Sequence, residues 1–228
     1  MKAPILCYVT DRKSLPLATA ARPDPFGALL ERIEQAARAG VDWIQLREKD
    51  LEARPLSDLT AKAMAVSAGA RTAETGARIV VRILVNDRLD VAWAARQTDG
   101  GAGAHLAESS LPVGEVVRWR DQAGRADFLV GASCHSLEGA VEAAGAGADY
   151  IFFGPVFATP SKAAFGRPQG LQKLGQICRA VSIPVLAIGG IAVENAAACL
   201  DAGAAGIAAI RLFQEAQDLA GLLRQIRP

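Results

Sequence analysis

Cations, amides and hydroxyls gather in short segments that each follow an apolar run. The segment QLREK spaces Gln45, Arg47 and Lys49 two residues apart. In a β-strand this spacing points all three side chains to one face. Burying two cations on one face is costly unless an anion neutralises them. The spacing therefore favours a phosphorylated or diphosphate ligand, and pairing of Arg47 with Asp11 or Asp87 is the alternative that needs no ligand.

A second group of residues forms a candidate phosphate site. The segment AIGGIAVEN places Gly189 and Gly190 between an apolar run and a helical pattern, and backbone N–H groups at a helix start bind phosphate in barrels. A tight turn explains the same glycines without a ligand. Arg211 follows the last apolar run as a further cation. The segment FFGPVFATPSK, which changes from apolar to polar halfway, adds the donors Thr159, Ser161 and Lys162.

These polar segments follow short apolar or β-branched runs, which alternate with longer, Ala-rich amphipathic stretches. Such alternation predicts right-handed βαβ units and a parallel sheet. The predicted strands cover residues 5–9, 42–46, 79–85, 103–106, 127–132, 150–154, 184–189 and 206–210. The predicted helices lie near residues 26–39, 56–75, 88–96, 112–120, 137–146, 170–181, 193–202 and 216–226. Several of these helices end at a glycine: Gly40, Gly76, Gly145 or Gly147, and Gly203.

The number of repeats indicates the fold class. Eight units in a chain of 228 residues, with no linker or composition break, favour a single α/β domain over residues 1–228, a (β/α)8 TIM barrel. A doubly wound open sheet is the alternative, because periodicity alone does not show closure. The C-terminal ends of the strands carry the chemistry in such barrels. The barrel prediction therefore brings the polar segments to one mouth.

Net charge and cysteine content limit the classes of binding partner and the cellular compartment that we expect. The 25 Lys and Arg residues against 24 Asp and Glu residues give a net charge of +1, which provides no field to attract nucleic acid or anionic membranes. We expect small soluble partners, neither nucleic acid nor membrane, and leave a homo-oligomeric state open. Four widely spaced cysteines, no bilayer-length apolar run and no signal-peptide pattern predict a reducing cytoplasm.

Seven motifs along the chain carry a resemblance to a known family. They are YVTDR, QLREK, NDR, GASCHS, GADYIFFGPVFATPSK, PVLAIGGI and AGAAGIAAI. In their order and spacing they resemble the thiamine phosphate synthase family, whose close relatives are the thiazole tautomerases. The resemblance implies a barrel that uses Mg²⁺ to join an aminopyrimidine methyl diphosphate to a thiazole phosphate, with release of diphosphate. Both expected substrates are small phosphorylated molecules.

The resemblance also implies roles for individual residues. Asp87 would bind the metal. The pyrimidine diphosphate would be held by Gln45, Arg47, Lys49, Asn86, Ser133 and Lys162. The residues at the positions where the family grips the thiazole phosphate are Thr159, Ser161, Gly189, Gly190, Ile210 and Arg211. Among the residues expected to hold the pyrimidine diphosphate, the cations Arg47, Lys49 and Lys162 should act in catalysis, by stabilising the charge that develops on the departing diphosphate.

Three positions leave the reaction open between a synthase, a tautomerase and a binding paralogue without turnover. Ser110 stands where the synthases have a second metal-binding Asp, and the tautomerase-like relatives also read SLP there. Arg211 stands where the family usually has Ser. His135 is a catalytic acid–base in a tautomerase, which moves a proton on a thiazole carboxylate phosphate, or a loop-ordering residue in a synthase.

Overall fold

The fold is a closed parallel barrel surrounded by helices. A computed structural model describes residues 3–16, 24–70, 80–95, 102–159 and 167–227. Within these ranges the strands pair in parallel, each with the next, and the last pairs with the first. This closure confirms the predicted (β/α)8 barrel and excludes the open sheet. The strands are β1 (Ile5–Val9), β2 (Trp43–Leu46), β3 (Arg82–Asn86), β4 (Gly103–Leu106), β5 (Leu129–Cys134), β6 (Tyr150–Phe153), β7 (Val185–Ile188) and β8 (Gly206–Ala209).

Helices connect the strands on the outside of the barrel. In the described ranges they are α1 (Pro25–Ala39), α2 (Ala53–Ala68), α3 (Leu89–Ala94), α4 (Val113–Gln122), α5 (Leu137–Gly145), α6 (Gly170–Ala180), α7 (Val193–Asp201), α8 (Arg211–Gln214) and α9 (Leu219–Ile226). The sequence patterns do not predict α8 or the 3₁₀ turn Arg12–Ser14, since a single turn is too short to show a helical period. None of these helices is long and apolar enough to cross a bilayer.

Two strands extend further than predicted. β3 runs to Asn86 and β5 runs to Cys134, although the apolar patterns predict ends at residues 85 and 132. The difference arises because Asn86 and Ser133 are polar side chains inside the barrel, where they interrupt the apolar run. β3 begins only at Arg82 and α2 ends at Ala68, so the predicted strand start at residue 79 and helix end at residue 75 are wrong at the described residues 80–81 and 69–70, whereas residues 71–79 lie outside the described ranges.

Local signals explain where the first helix begins and ends. The side chain of Asp24 accepts a hydrogen bond from the Phe26 N–H, and Pro25 occupies the first helical position, both of which favour a helix start. The helix ends at Gly40, whose φ of 99° lies in the left-handed region that glycine adopts without strain. The predicted C-cap at Gly40 is therefore confirmed, and that at Gly76 lies outside the described ranges.

The barrel interior has an apolar core of its own beneath the mouth. It contains Cys7, Val9, Leu84, Tyr150, Phe152, Leu186 and Ala208. The register pairs Gly131 with Tyr150, and a Cβ added at Gly131 would lie 2.0 Å from Tyr150 Cζ. Glycine at this position therefore makes room for the tyrosine ring that fills the barrel. These buried side chains fill the barrel interior.

Candidate active site at the C-terminal mouth of the barrel

Two amide side chains meet inside the barrel just below the mouth. Gln45 on β2 is 2% exposed, and its Nε2 donates to Asn86 Oδ1 at 3.2 Å. Asn86 is the last residue of β3 and pairs in register with His105 on β4. The structure therefore brings together Gln45 and Asn86, as the sequence predicts.

The two cations of QLREK lie in a loop and not on a strand. β2 ends at Leu46, and the Leu51 N–H donates to the Glu48 carbonyl at 3.1 Å. The prediction that a strand carries Arg47 and Lys49 on one face with Gln45 is therefore wrong, because β2 ends at Leu46 and residues 48–51 form a turn. Arg47 is half-buried and Lys49 is exposed.

The Arg47 guanidinium has no hydrogen bond or ion pair with any residue that the structure describes. The alternative, a pairing of Arg47 with Asp11 or Asp87, is therefore not observed in the described ranges. A cation at a site mouth that has no partner among the described residues is suited to an anionic ligand.

Asp87 lies at the mouth directly after β3. Its φ of 61° is in the left-handed region, which a non-glycine residue adopts at a cost. Its Oδ1 accepts a hydrogen bond from Ser110 Oγ, and that same Oγ accepts one from the Ala107 N–H at 2.8 Å. Ser110 stands at the position where the family resemblance places a second metal ligand, and it therefore contacts Asp87, the first expected ligand.

The donor set near Asp87 limits how a metal ion would be held. Among the residues that the structure describes, no group of three His, Cys, Asp or Glu side chains would hold a metal ion. Mg²⁺ is commonly bound by one or two carboxylates together with substrate phosphates and water. Asp87 supplies one carboxylate, so the site fits Mg²⁺ when a diphosphate contributes the remaining oxygens.

A buried histidine that the sequence patterns do not single out supports Ser133. His105 is 1% exposed; its Nε2 lies 2.8 Å from Ser133 Oγ and its Nδ1 lies 3.1 Å from the Tyr150 hydroxyl. Burial, with a contribution from the Arg47 charge, lowers the pKa of His105 to about 3. A neutral imidazole donates through one nitrogen and accepts through the other, so His105 orients the Ser133 hydroxyl without carrying charge. In the sequence His105 is one polar residue in an apolar strand, and only its register with Asn86 shows that it lies inside the barrel.

His105 should make stability fall at acid pH. Because its pKa is lowered in the folded state, its stabilising contribution is complete above about pH 6.5, the ordinary value, and is lost as the pH falls toward 3. We expect the parent to lose about 1.4 kcal/mol more free energy of unfolding per pH unit in this window than His105→Gln. Urea denaturation across the window measures both slopes, and parallel slopes would contradict the assignment.

His135 follows β5 and connects two loops of the mouth. It is half-buried, and its Nδ1 contacts the Gly154 carbonyl oxygen at the end of β6. A protonated Nδ1 donates to this carbonyl, which leaves Nε2 as the nitrogen available to a ligand. The contact agrees with a loop-ordering role, and it leaves Nε2 as the nitrogen that an acid–base role would use.

The two glycines after β7 support the loop after β6. Gly189 and Gly190 have φ of 94° and 67°, and a Cβ on Gly190 would lie 2.5 Å from the Ala158 carbonyl oxygen. The Phe157 N–H donates to the Gly189 carbonyl at 3.0 Å. The positive φ values and the close packing explain why both residues are glycine without a ligand, as the tight-turn alternative proposes. Helix α7 begins at Val193, just past the turn, so its N-terminus also lies near this end of the barrel.

The ends of β6 and β8 meet on the same side of the mouth. Arg211 is the exposed first residue of α8, and its Nη2 donates to Thr159 Oγ1 at 3.4 Å. Ile210 packs against the interior core. The structure therefore brings Arg211 and Thr159 together, whereas the other two donors predicted in this loop, Ser161 and Lys162, lie outside the described residues.

Comparisons with known proteins identify the family. Residues 15–213 match the family model described as thiamine monophosphate synthase. This chain belongs to that family. It is 46% identical over 182 residues to a putative thiamine-phosphate synthase of Geobacter sulfurreducens, covering 80% of this chain and 78% of that protein. It is 43% identical over 192 residues to a thiamine-phosphate synthase of Methanoculleus marisnigri, covering 84% and 83%.

A solved structure supports the same assignment. The thiamine phosphate pyrophosphorylase from Pyrococcus furiosus superposes with a TM-score of 0.73 at 29% identity, covering 97% of this chain and 93% of that one. The family resemblance of the sequence motifs is thereby confirmed, and the thiamine monophosphate synthase family places the chain in thiamine biosynthesis.

Proposed function

We propose that this chain is a thiamine-phosphate synthase, a transferase that joins an aminopyrimidine methyl diphosphate to a thiazole phosphate. The observation that carries the proposal is the Arg47 guanidinium, which has no partner in the described part of the chain and follows Gln45 of the Gln45–Asn86 pair by two residues. A diphosphate supplies the missing counter-charge. Family membership supports the same reaction class.

The proposed reaction exchanges one bond for another at the methylene carbon of the pyrimidine. The C–O bond breaks and the diphosphate leaves with the electron pair, while the thiazole nitrogen gives its lone pair to the new C–N bond. The electron-rich pyrimidine stabilises positive charge on the carbon. Arg47, Lys49 and Lys162 stabilise the negative charge that develops on the diphosphate. No proton transfer is required, which agrees with a neutral, buried His105.

The paired amides suit recognition of the aminopyrimidine. Because Gln45 Nε2 donates to Asn86 Oδ1, the Gln45 carbonyl oxygen and the Asn86 amino group remain for a ligand. An aminopyrimidine presents both a donor and an acceptor along its edge, so it matches this pair. Ser133, which His105 orients, supplies a further hydroxyl.

The thiazole phosphate is assigned to the opposite side of the mouth. We infer that Arg211 donates to its phosphate oxygens together with Thr159, with which Arg211 already shares a hydrogen bond. The remaining residues of this proposed site are Ser161, Gly189, Gly190 and Ile210.

We infer that Mg²⁺ is the cofactor and that Asp87 holds it together with the diphosphate of the substrate. When bound, the ion neutralises charge on the leaving diphosphate. Ser110 contributes by donating to Asp87 Oδ1, which fixes the orientation of the carboxylate.

A thiazole tautomerase is the second candidate, and one observation favours it. Ser110 stands where the family resemblance places a second metal-binding carboxylate. A tautomerase needs no metal but does need an acid–base residue, the role of His135 Nε2. A paralogue that binds thiazole phosphate or thiamine phosphate without turnover would show affinity and no product.

The His135→Ala variant separates the first two candidates. We expect it to retain most thiamine phosphate formation, because the proposed reaction uses no proton transfer from His135. In a tautomerase the same change would reduce proton exchange on the thiazole carboxylate phosphate by about 10²- to 10⁴-fold. Hydrogen–deuterium exchange on that compound, measured for parent and variant, provides the comparison. Exchange in the parent that disappears in the variant would favour the tautomerase.

The cysteines support our inference of a cytoplasmic location. Cys7, Cys134 and Cys199 are buried and unpaired, and burial raises the pKa of the Cys134 thiol to about 12. Such thiols act as small apolar side chains that persist in a reducing compartment. The absence of a nucleic acid partner stays a prediction, and so does the possibility of a homo-oligomer.

The proposed function is tested by diphosphate release. The parent protein with Mg²⁺ should release diphosphate only when both the pyrimidine diphosphate and the thiazole phosphate are present. Release that does not depend on the thiazole phosphate would indicate hydrolysis and would contradict the proposed transfer.

A further inference from the structure

A buried carboxylate lies in the same loop as Arg47. The side chain of Glu48 is only 1% exposed, whereas its neighbours Arg47 and Lys49 reach solvent. Burying a carboxylate is costly unless its charge is paired and its oxygens accept hydrogen bonds. The contacts of Glu48 should therefore indicate what it does.

Glu48 joins the loop after β2 to the loop after β1. Its Oε1 accepts from Thr10 Oγ1 at 2.6 Å, and its Oε2 accepts from Arg12 Nη1 at 3.0 Å. The Arg12 N–H lies 3.2 Å from each carboxylate oxygen. Two further bonds of 2.7 Å connect the Arg12 guanidinium to Asp50. The Arg12 guanidinium is therefore paired with two protein carboxylates.

Thr10 transmits this arrangement to Arg47. The Thr10 side chain is fully buried, and its single hydroxyl proton is donated to Glu48. The same oxygen accepts the backbone N–H of Arg47 at 3.0 Å. A hydroxyl has one proton, and Glu48 fixes the direction of that proton on Thr10. The Thr10 lone pairs are therefore oriented toward the Arg47 N–H. The chain of contacts runs from the Glu48 carboxylate through Thr10 to the backbone of Arg47.

We propose that Glu48 is a positioning residue that, through Thr10, holds the backbone of Arg47 so that its guanidinium is ready to bind diphosphate. Holding a binding group in place before the ligand arrives reduces the ordering cost of binding. The inference rests on the proposed function, since the diphosphate is the ligand that Arg47 would bind.

A purely structural role for Glu48 would have a different signature. Loss of a structural contact lowers stability and weakens all ligands of the mouth alike. Loss of a positioning contact weakens diphosphate and spares the thiazole phosphate, whose proposed residues Arg211 and Thr159 lie at the ends of other strands. The ratio of the two affinities therefore separates the roles.

The experiment is calorimetric titration of the full chain with pyrophosphate and, separately, with thiazole phosphate. We expect Glu48→Ala and Thr10→Val each to weaken pyrophosphate binding about five- to tenfold, the scale of one buried hydrogen bond. Thiazole phosphate binding should change by less than about twofold. Glu48→Gln, which keeps an acceptor for Thr10, should restore most of the pyrophosphate affinity.

Two further variants complete the test. The double variant Glu48→Ala/Thr10→Val should bind pyrophosphate no more weakly than either single variant, because both changes break the same link. Asp50→Asn is the matched control: it alters the exposed partner of Arg12 but not the contacts among Thr10, Glu48 and Arg47. We expect it to retain pyrophosphate affinity within about twofold.

The outcomes distinguish this inference from the proposed function. If the parent binds pyrophosphate and Glu48→Ala binds it equally well, or if both ligands weaken alike, the positioning role is overturned and the proposed function stands. A parent that binds no pyrophosphate would overturn both. Should Glu48→Ala fail to fold, Thr10→Val carries the same test, since it replaces a hydroxyl with a methyl group of similar size.

Discussion

Arg47→Ala is expected to weaken pyrophosphate binding by about 10- to 100-fold, which corresponds to about 1.5 to 3 kcal/mol for hydrogen bonds to a charged group. The fold should be little affected, because the Arg47 guanidinium has no hydrogen bond or ion pair within the described ranges. Isothermal titration with pyrophosphate measures the loss, and thermal unfolding measures stability. Lys49→Ala should weaken binding by about 1 to 3 kcal/mol, again with little change in folding.

Arg38→Ala provides the control for the Arg47 variant. It removes one positive charge from an exposed ion pair with Glu34 near the end of α1, so the net charge changes by the same amount without touching the mouth. We expect its pyrophosphate affinity to match that of the parent. If Arg47→Ala and Arg38→Ala behave alike, Arg47 does not bind the diphosphate.

Asp87→Ala is expected to reduce thiamine phosphate formation by at least about 100-fold at any practical Mg²⁺ concentration, because metal stabilisation of the leaving group is worth several kcal/mol. Ser110→Asp should have the opposite effect and lower the Mg²⁺ concentration needed for half-maximal activity. The reason is that a second carboxylate would face Asp87 where the Ser110 hydroxyl now donates to it. The measurement is product formation across a Mg²⁺ titration for parent and both variants.

A second measurement on Ser110→Asp does not depend on activity. Two carboxylates in contact repel each other unless a cation lies between them, so this variant should unfold at a lower temperature than the parent when Mg²⁺ is absent. Added Mg²⁺ should raise its melting temperature more than that of the parent. Parent activity that is independent of Mg²⁺ or insensitive to Asp87→Ala would refute the metal assignment.

The barrel itself was predictable because its signals are local. Buried parallel strands read as apolar runs, and helices on the outside alternate with them. A glycine with positive φ such as Gly40 marks a helix end. The strand ends at the mouth were less predictable, since polar side chains inside the barrel interrupt the apolar run. The second strand ends at Leu46 as predicted, but the alternate spacing in QLREK also suggested one shared face as far as Lys49, and the turn over residues 48–51 interrupts that spacing.

Contacts between distant residues were not predictable from the sequence. Thr10 and Glu48 lie 38 positions apart, and only the register of β1 and β2 brings them together. His105 reads as one polar residue in an apolar strand until its pairing with Asn86 shows that it points inward. The family resemblance placed Ser110 and Asp87 at one metal site, but it did not predict the hydrogen bond between them. Residue types along the chain thus indicated which side chains belong to the candidate site, and the closed barrel determined which of those side chains contact one another.

The most direct test of the proposed synthase is the formation of thiamine phosphate from both substrates. The parent protein, incubated with the pyrimidine diphosphate, the thiazole phosphate and Mg²⁺, should form thiamine phosphate and diphosphate in equal amounts, and chelation of the metal should stop both. Chromatography of the thiamine phosphate alongside a diphosphate assay provides the measurement. If no thiamine phosphate forms while the protein exchanges the proton of thiazole carboxylate phosphate, the proposed reaction is wrong and the chain is a tautomerase.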